Sequence, residues 1–200
     1  MTASKVERMA EVVEAIRDLD TSPLYAYRRE KGYKPVIGEG DLDAKVMLIG
    51  EAPGAEEAKT GRPFVGSAGQ ILDELLASIG LGRQDVYITN VVKDRPPSNR
   101  DPRADEIALY APFLRRQIEI IEHQVIVTLG RFAMDFILEI YAVPERGQRI
   151  GDLHGRVFKA QVDYGEIAVV PLYHPAAAFY NQDLKSVLWE DIKVLEQFLD

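Results

Sequence analysis

Asn90, His174 and Phe64 are the residues whose types and settings offer chemistry here, and a loop with Glu51, Glu56 and Glu57 accompanies them. An asparagine amide donates and accepts at once, which suits the edge of a pyrimidine. Asn90 ends an apolar run, where an asparagine is equally a turn former or a helix cap. His174 follows another apolar run and precedes Pro175, a setting in which an imidazole donates to a developing anion on a leaving group. Phe64 sits in Gly61-Arg62-Pro63-Phe64-Val65-Gly66, where an aromatic ring either plugs the core or makes a platform for a stacked base. Gly54, Gly61 and Gly66 permit close backbone approach. Taken singly, the glutamates read as solvated loop acids.

The elements that must position these residues are legible as periodic runs. Val46-Met47-Leu48-Ile49 reads as a buried strand over 45–49 that breaks at Gly50 and empties into the loop 50–66. Ile71, Leu72, Leu75, Leu76 and Ile79 then space out as a helix face, which Ser67 is expected to cap and Gly80 and Gly82 to end. Further strands are predicted at 86–89 and 125–129. Alternating runs at 157–162 and 167–172, around Tyr164-Gly165, predict a hairpin or sheet edge. Helices are predicted over 104–121, 131–141 and 184–199, and Val6, Met9, Val12, Val13 and Ile16 mark one near the start. The polar, turn-rich stretch at 21–44 predicts an irregular lead-in.

Strands that alternate with helices predict an α/β fold, a three-layer α/β/α sandwich with a mostly parallel central sheet. One domain is expected over 1–200, with 1–35 as its helical and irregular lead-in. The loops 50–66, 90–103, 130–131 and 173–181 all follow apolar strands. In a parallel sheet these ends share one edge, where open α/β sheets bind ligands.

The totals narrow the classes. No apolar run approaches the roughly 20 residues of a membrane helix, and the N-terminus has no signal-peptide core, so a cytoplasmic protein with no membrane partner is expected. The sequence has no cysteine, which removes disulfides, thiol nucleophiles and cysteine-held metals. Its three histidines are scattered and predict no metal site. The net charge of −8 argues mildly against non-specific coating of nucleic acid. A local patch decides that question, and Lys93, Arg95, Arg100 and Arg103 cluster beside the candidate site.

Five segments together resemble the family 4 uracil-DNA glycosylases. They are Gly50-Glu51-Ala52-Pro53-Gly54, Thr60 to Gly66, Tyr87-Ile88-Thr89-Asn90-Val91-Val92-Lys93, Arg95-Pro96-Pro97 with Asn99-Arg100, and His174-Pro175-Ala176. The similarity runs in order from about residue 36 to 199. It implies the uracil-DNA glycosylase fold and a flipped-base mechanism, in which N-glycosidic hydrolysis removes uracil from DNA in base excision repair. By the family pattern Phe64 stacks on the base and Asn90 reads the uracil edge. The backbone of Gly50, Glu51 and Ala52 lines the pocket. Glu57 and Glu51 position water or face positive charge on the sugar, and His174 stabilises the departing uracil anion. Lys93, Arg95, Asn99 and Arg100 contact phosphates. The stretch from Pro175 and Ala176 onward enters the minor groove, with Phe179 as a wedge or, equally, as a cover for the sheet edge.

The sequence departs from that family at its cofactor. Family 4 enzymes hold an iron–sulfur cluster on four cysteines. Here Asp94 stands before Arg95-Pro96-Pro97, the helix cysteine falls near Leu109 or Tyr110, and the N-terminal pair falls within Leu19 to Ala26. No cofactor is therefore expected. Leu24, Tyr25, Tyr27 and Tyr110 are expected to pack the lead-in on the 91–103 loop in its place. That loop has neither a histidine nor an insert, so covalent trapping of uracil is not expected. The expected protein is a monomer acting on DNA that contains uracil. The alternatives are a glycosylase for another damaged base and a non-catalytic DNA- or partner-binding homologue.

Overall fold

The computed structural model describes residues 3–199. A six-stranded sheet forms its centre, built from β1 (Glu39–Gly40), β2 (Val46–Gly50), β3 (Tyr87–Asn90), β4 (Val125–Leu129), β5 (Phe158–Val162) and β6 (Gly165–Leu172), in the order β1-β3-β2-β4-β6-β5. The four central strands are parallel, and β1 and β5 pair antiparallel at the two edges. β2, β3 and β4 are buried along their whole length, as expected for parallel strands covered on both faces.

Alternation along β2 divides the core. Met47 and Ile49 face one layer, formed by α1 (Lys5–Arg17), α5 (Ala104–Ile121) and α6 (Arg131–Ile140). Val46 and Leu48 face the other, formed by α4 (Ser67–Ser78), α7 (Gln182–Asp191) and the 3₁₀ turn Ile192–Phe198. The expected three-layer α/β/α sandwich is thus the observed one. The chain passes from β2 to β3 on one side, then crosses to β4 on the other. β2 is therefore the switch point, and its carboxyl end is where such sheets leave a crevice.

Three expectations need correction. Ser67 does not cap the helix after the loop 50–66: Gly66 holds the cap position with no side-chain hydrogen bond, and Ser67 is the first helical residue. The lead-in is not irregular throughout: it carries α2 (Tyr25–Lys31), closed by Gly32 in the left-handed conformation, and the edge strand β1. Residues 34–37 are held by partners distant in sequence, since Lys34 N donates to Ala58 O at 2.7 Å and Val36 N to Lys93 O at 2.7 Å. The last helix is not continuous over 184–199. It starts at Asn181, whose side chain accepts from Asp183 N, and changes to 3₁₀ geometry after Asp191. The 157–172 runs form the expected hairpin, with Val162 opposite Gly165.

Candidate active site

Four loops do meet at the carboxyl edge of the sheet. A cavity of about 160 Å³ is lined by Ala52, Gly54, Glu57, Phe64, Ala68, Asn90 and His174. A cavity of about 150 Å³ holds one benzene ring in another protein, so this one is sized for a single six-membered ring. The Phe64 and His174 rings lie 5.8 Å apart at 30°. Gly50 forms the wall between Phe64 and Asn90. A Cβ there would lie 2.5 Å from Asn90 Oδ1 and 2.6 Å from Phe64 Cζ. No other residue lets both groups approach the same strand end.

Asn90 is 1% exposed, and its Nδ2 has no hydrogen-bond partner. A buried amide donor left unpaired costs about 1–3 kcal/mol, so this one marks where an acceptor belongs. Its backbone is fixed: β2 and β3 stay zipped past their ends through Val91 N to Gly50 O at 2.9 Å and Val92 N to Glu51 O at 3.0 Å.

Phe64 is buried and has φ +49°. A bulky residue in this left-handed region costs about 1–3 kcal/mol and persists only where its surroundings impose it. Glu57 supplies part of that constraint, because its Oε1 accepts from Val65 N at 2.9 Å and Gly66 N at 2.8 Å. The carboxylate thus enters the pocket from α3 (Ala55–Thr60) with one oxygen already engaged.

His174 Nδ1 accepts from Ala176 N at 3.2 Å, which assigns the ring proton to Nε2 in the neutral imidazole. Burial pushes its pKa down, and the nearby Glu57 charge only partly opposes this. The neutral ring therefore presents an N–H donor. His123 and His154 lie elsewhere: His123 is buried with its pKa pushed down to about 3 by burial, and His154 pairs with Asp191 at 2.7 Å.

A second cleft opens from the same walls. It shares Ala52, Gly54 and His174 with the ring-sized cavity and adds Glu51, Pro53, Pro96, Asn99, Arg100 and Ala176. Burial, reinforced by the Asp101 charge, raises the Glu51 carboxyl to about 7, with Arg131 acting in the opposite sense. The two carboxylates thus differ in place: Glu57 borders the ring-sized cavity and Glu51 its mouth.

The expected phosphate contacts divide. Lys93 is fully buried and cannot reach a phosphate. Its Nζ donates to Thr89 Oγ1 and Asn90 O, both at 2.7 Å, and to Gln117 Oε1 at 2.6 Å. Pro175 is also buried and offers no surface to DNA. Asn99 and Arg100 line the second cleft, and Arg95 lies beside them. Arg95 is held by Asn99 Oδ1 at 2.8 Å and Tyr33 OH at 2.7 Å, and Arg100 by both oxygens of Glu106. Ala176 is half-buried in the cleft wall, and Phe179 and Tyr180 are exposed beyond it. The sequence reading missed Gln117, Arg28 and Arg83; as single polar residues in helices or turns they carry no spacing signal.

The residues around Asp94 do not fit a cysteine-held cluster. Arg28 Nη1 lies 3.2 Å from each Asp94 oxygen, Tyr110 OH donates to Asp94 Oδ2 at 2.6 Å, and Ser22 Oγ lies 2.8 Å from Tyr110 OH. Arg28 also donates to Ile16 O and Arg17 O, at the C-terminal end of α1. This knot is buried and contains no metal donor softer than a carboxylate. Among the described residues no group of three or more His, Cys, Asp or Glu is placed to hold a metal ion. The expectation that aromatic packing joins the lead-in to the loop needs correction. Leu24 and Tyr110 are buried there. Tyr25, however, lies against Arg28 and Tyr27 against Tyr33, so polar groups make the joint. Among the described residues no helix is long and apolar enough to cross a membrane.

Comparison with known proteins agrees with this arrangement. The family model described as "Uracil DNA glycosylase superfamily" matches residues 37–193. A type-4 uracil-DNA glycosylase of Sulfurisphaera tokodaii is 47% identical over 81% of this chain and 73% of its own. The type-4 uracil-DNA glycosylase of Saccharolobus solfataricus is 41% identical over 94% of this chain and 85% of its own. That of Thermotoga maritima is 40% identical over 98% and 97%.

Proposed function

The chain belongs to the uracil DNA glycosylase superfamily, and from that premise we propose that it hydrolyses the N-glycosidic bond of uracil in DNA. The observation that carries this reading is the unpartnered Asn90 Nδ2 in a ring-sized cavity. Uracil offers an acceptor at O4 beside a donor at N3, which matches an asparagine amide. Cytosine offers the reverse pair. A site built on such a match rejects the mismatched ring strongly, because its buried polar groups would be left unpaired.

In this reading the nucleotide is extruded from the duplex and its base stacks on Phe64 with Asn90 on its edge. The C1′–N1 bond breaks with its electron pair leaving on uracil. His174 Nε2–H donates to O2 and spreads the anion's charge, as a neutral donor in a water-poor site. The sugar becomes cationic. Glu51, at the cavity mouth, faces it as a carboxylate and orients the attacking water, whose oxygen joins C1′ while its proton passes to the Glu51 carboxylate. Glu57 stays with the Val65 and Gly66 amides and supplies a negative charge behind the base pocket. Arg95, Asn99 and Arg100 contact phosphates, and Phe179 fills the gap left in the stack. We read the enzyme as a cytoplasmic monomer, and as one without an iron–sulfur cluster because the sequence has no cysteine to hold it.

Alkali cleavage of a uracil-containing oligonucleotide after incubation with pure protein tests the reading, with Asn90→Ala alongside. Wild type is expected to release uracil from it and leave the cytosine control intact. Asn90→Ala is expected to lose about 10- to 100-fold. A wild-type protein that leaves the uracil strand uncleaved sinks the proposal.

A further inference from the structure

We propose that Arg83 is a positioning residue for the base pocket: it presets the Phe64 ring by holding the carbonyls of the turn that bears it. The inference rests on the reading of Phe64 as a stacking platform.

Arg83 opens a short 3₁₀ turn, Arg83–Asp85, that precedes β3 and lies outside the cavity lining. Its side chain reaches back about twenty residues. Nη1 and Nη2 donate to Pro63 O at 3.2 and 3.1 Å, and Nη2 also donates to Phe64 O. Nε donates to Asp73 Oδ1 at 2.7 Å, and Glu39 lies 3.6 Å from Nη1. The guanidinium is thus oriented by two carboxylates and spends its remaining donors on two backbone oxygens. A planar fork with fixed donors suits this task, and a lysine cannot reproduce it.

The same turn is held from its other side by Glu57, which takes the Val65 and Gly66 amides. Two carbonyls and two amides of four consecutive residues are therefore fixed by two charged side chains. Gly69 completes the enclosure: a Cβ there would lie 1.8 Å from Phe64 O. Phe64 occupies a left-handed conformation that a phenylalanine rarely adopts unaided. Arg83 and Glu57 supply the contacts that hold this conformation. A preset platform spares the cost of ordering the ring when the base arrives.

The test compares Arg83→Met, Arg83→Lys, Phe64→Ala and the double variant Arg83→Met/Phe64→Ala. Single-turnover uracil release is expected to fall about 10- to 100-fold in Arg83→Met and by an intermediate factor in Arg83→Lys. The double variant is expected to be no slower than Phe64→Ala, because Arg83 acts through that ring. Binding to uracil-free DNA is expected to match wild type. Amide exchange at Val65 and Gly66 is measured on the same proteins and is expected to rise in Arg83→Met. Unchanged exchange with unchanged release overturns the proposal. So does a double variant in which the two losses multiply. If Arg83→Met does not fold, Arg83→Lys and Asp73→Asn carry the same comparisons. A wild type that releases no uracil defeats the functional reading, while the exchange measurement still decides the role of Arg83.

Discussion

Lys93 Nζ lies 2.7 Å from the carbonyl oxygen of Asn90, inside the protein and beneath the base pocket. With Thr89 and Gln117 it forms a buried network that continues to Ile37 O and Tyr87 OH. Among the described residues no carboxylate shares this network, and burial holds the lysine pKa well below its usual value. The lysine is an anchor for the strand end that carries Asn90. Lys93→Met is expected to slow uracil release by about tenfold or more and to lower stability by about 1–3 kcal/mol, since three acceptors lose their donor. The salt dependence of DNA binding is expected to stay as in wild type. Arg95→Ala or Arg100→Ala, by contrast, is expected to lower the slope of log K against log salt by about 1. A reduced slope in Lys93→Met would return the lysine to the phosphate-contacting group.

Sequence periodicity located the sheet because the central strands are short, largely apolar and bounded by glycine or asparagine. It pointed to the candidate site because β2, β3, β4 and β6 all release their loops at one edge. It failed where side chains reach across the fold. Nothing in Val91-Val92-Lys93 tells a buried lysine from a phosphate-binding one, because the acceptors lie on β3 and on α5. The lead-in read as irregular because its order comes from Asp94 and from the carbonyls of Ala58 and Lys93, all remote in sequence. Glu51 and Glu57 looked alike as loop acids. Only the fold separates them, giving one two backbone amides and the other a half-buried cleft.

The knot around Asp94 is expected to carry the joint between α1, α2, α5 and the loop after β3. Burial raises the Asp94 pKa, while Tyr110 and Arg28 oppose the rise. Asp94→Asn leaves the Arg28 charge buried without a counter-ion, which costs about 3–5 kcal/mol. Thermal unfolding should fall by on the order of ten degrees, and proteolysis in the 94–103 loop should quicken. Tyr110→Phe should cost about 1 kcal/mol. Equal unfolding temperatures for Asp94→Asn and wild type would remove the knot from the account. Pure protein is expected to contain no iron by elemental analysis.

Gly50 tests the pocket's shape without disturbing its chemistry. Its backbone is not in the left-handed region, so alanine introduces no backbone strain, only a methyl group against Asn90 and Phe64. Overpacking of this kind costs about 1–3 kcal/mol. Gly50→Ala is therefore expected to fold, to bind uracil-free DNA as wild type does, and to lose about 100-fold or more in uracil release. Full activity with a native circular dichroism spectrum would show that the ring sits elsewhere.

Glu51 ties activity and stability to pH in opposite directions. Its carboxyl is raised from 4.5 to about 7 in the folded protein. Below the lower value both folded and unfolded chains hold the proton, and folding is indifferent to this group. Between the two values the unfolded chain has released a proton that the folded chain keeps, so stability declines as pH rises and the loss is complete above about 7. Glu51→Gln removes the charge and should be more stable than wild type at pH 8 but not at pH 4. With the group half-exposed, the gain should be on the order of 1 kcal/mol, or about 2–4 °C. In the proposed mechanism, catalysis needs the carboxylate that stability disfavours. Single-turnover release by wild type should climb with pH and level off above about 7, whereas Glu51→Gln should be slow with that inflection absent. A Glu51→Gln profile that keeps the inflection would assign it to another group and leave the sugar-facing role to Glu57.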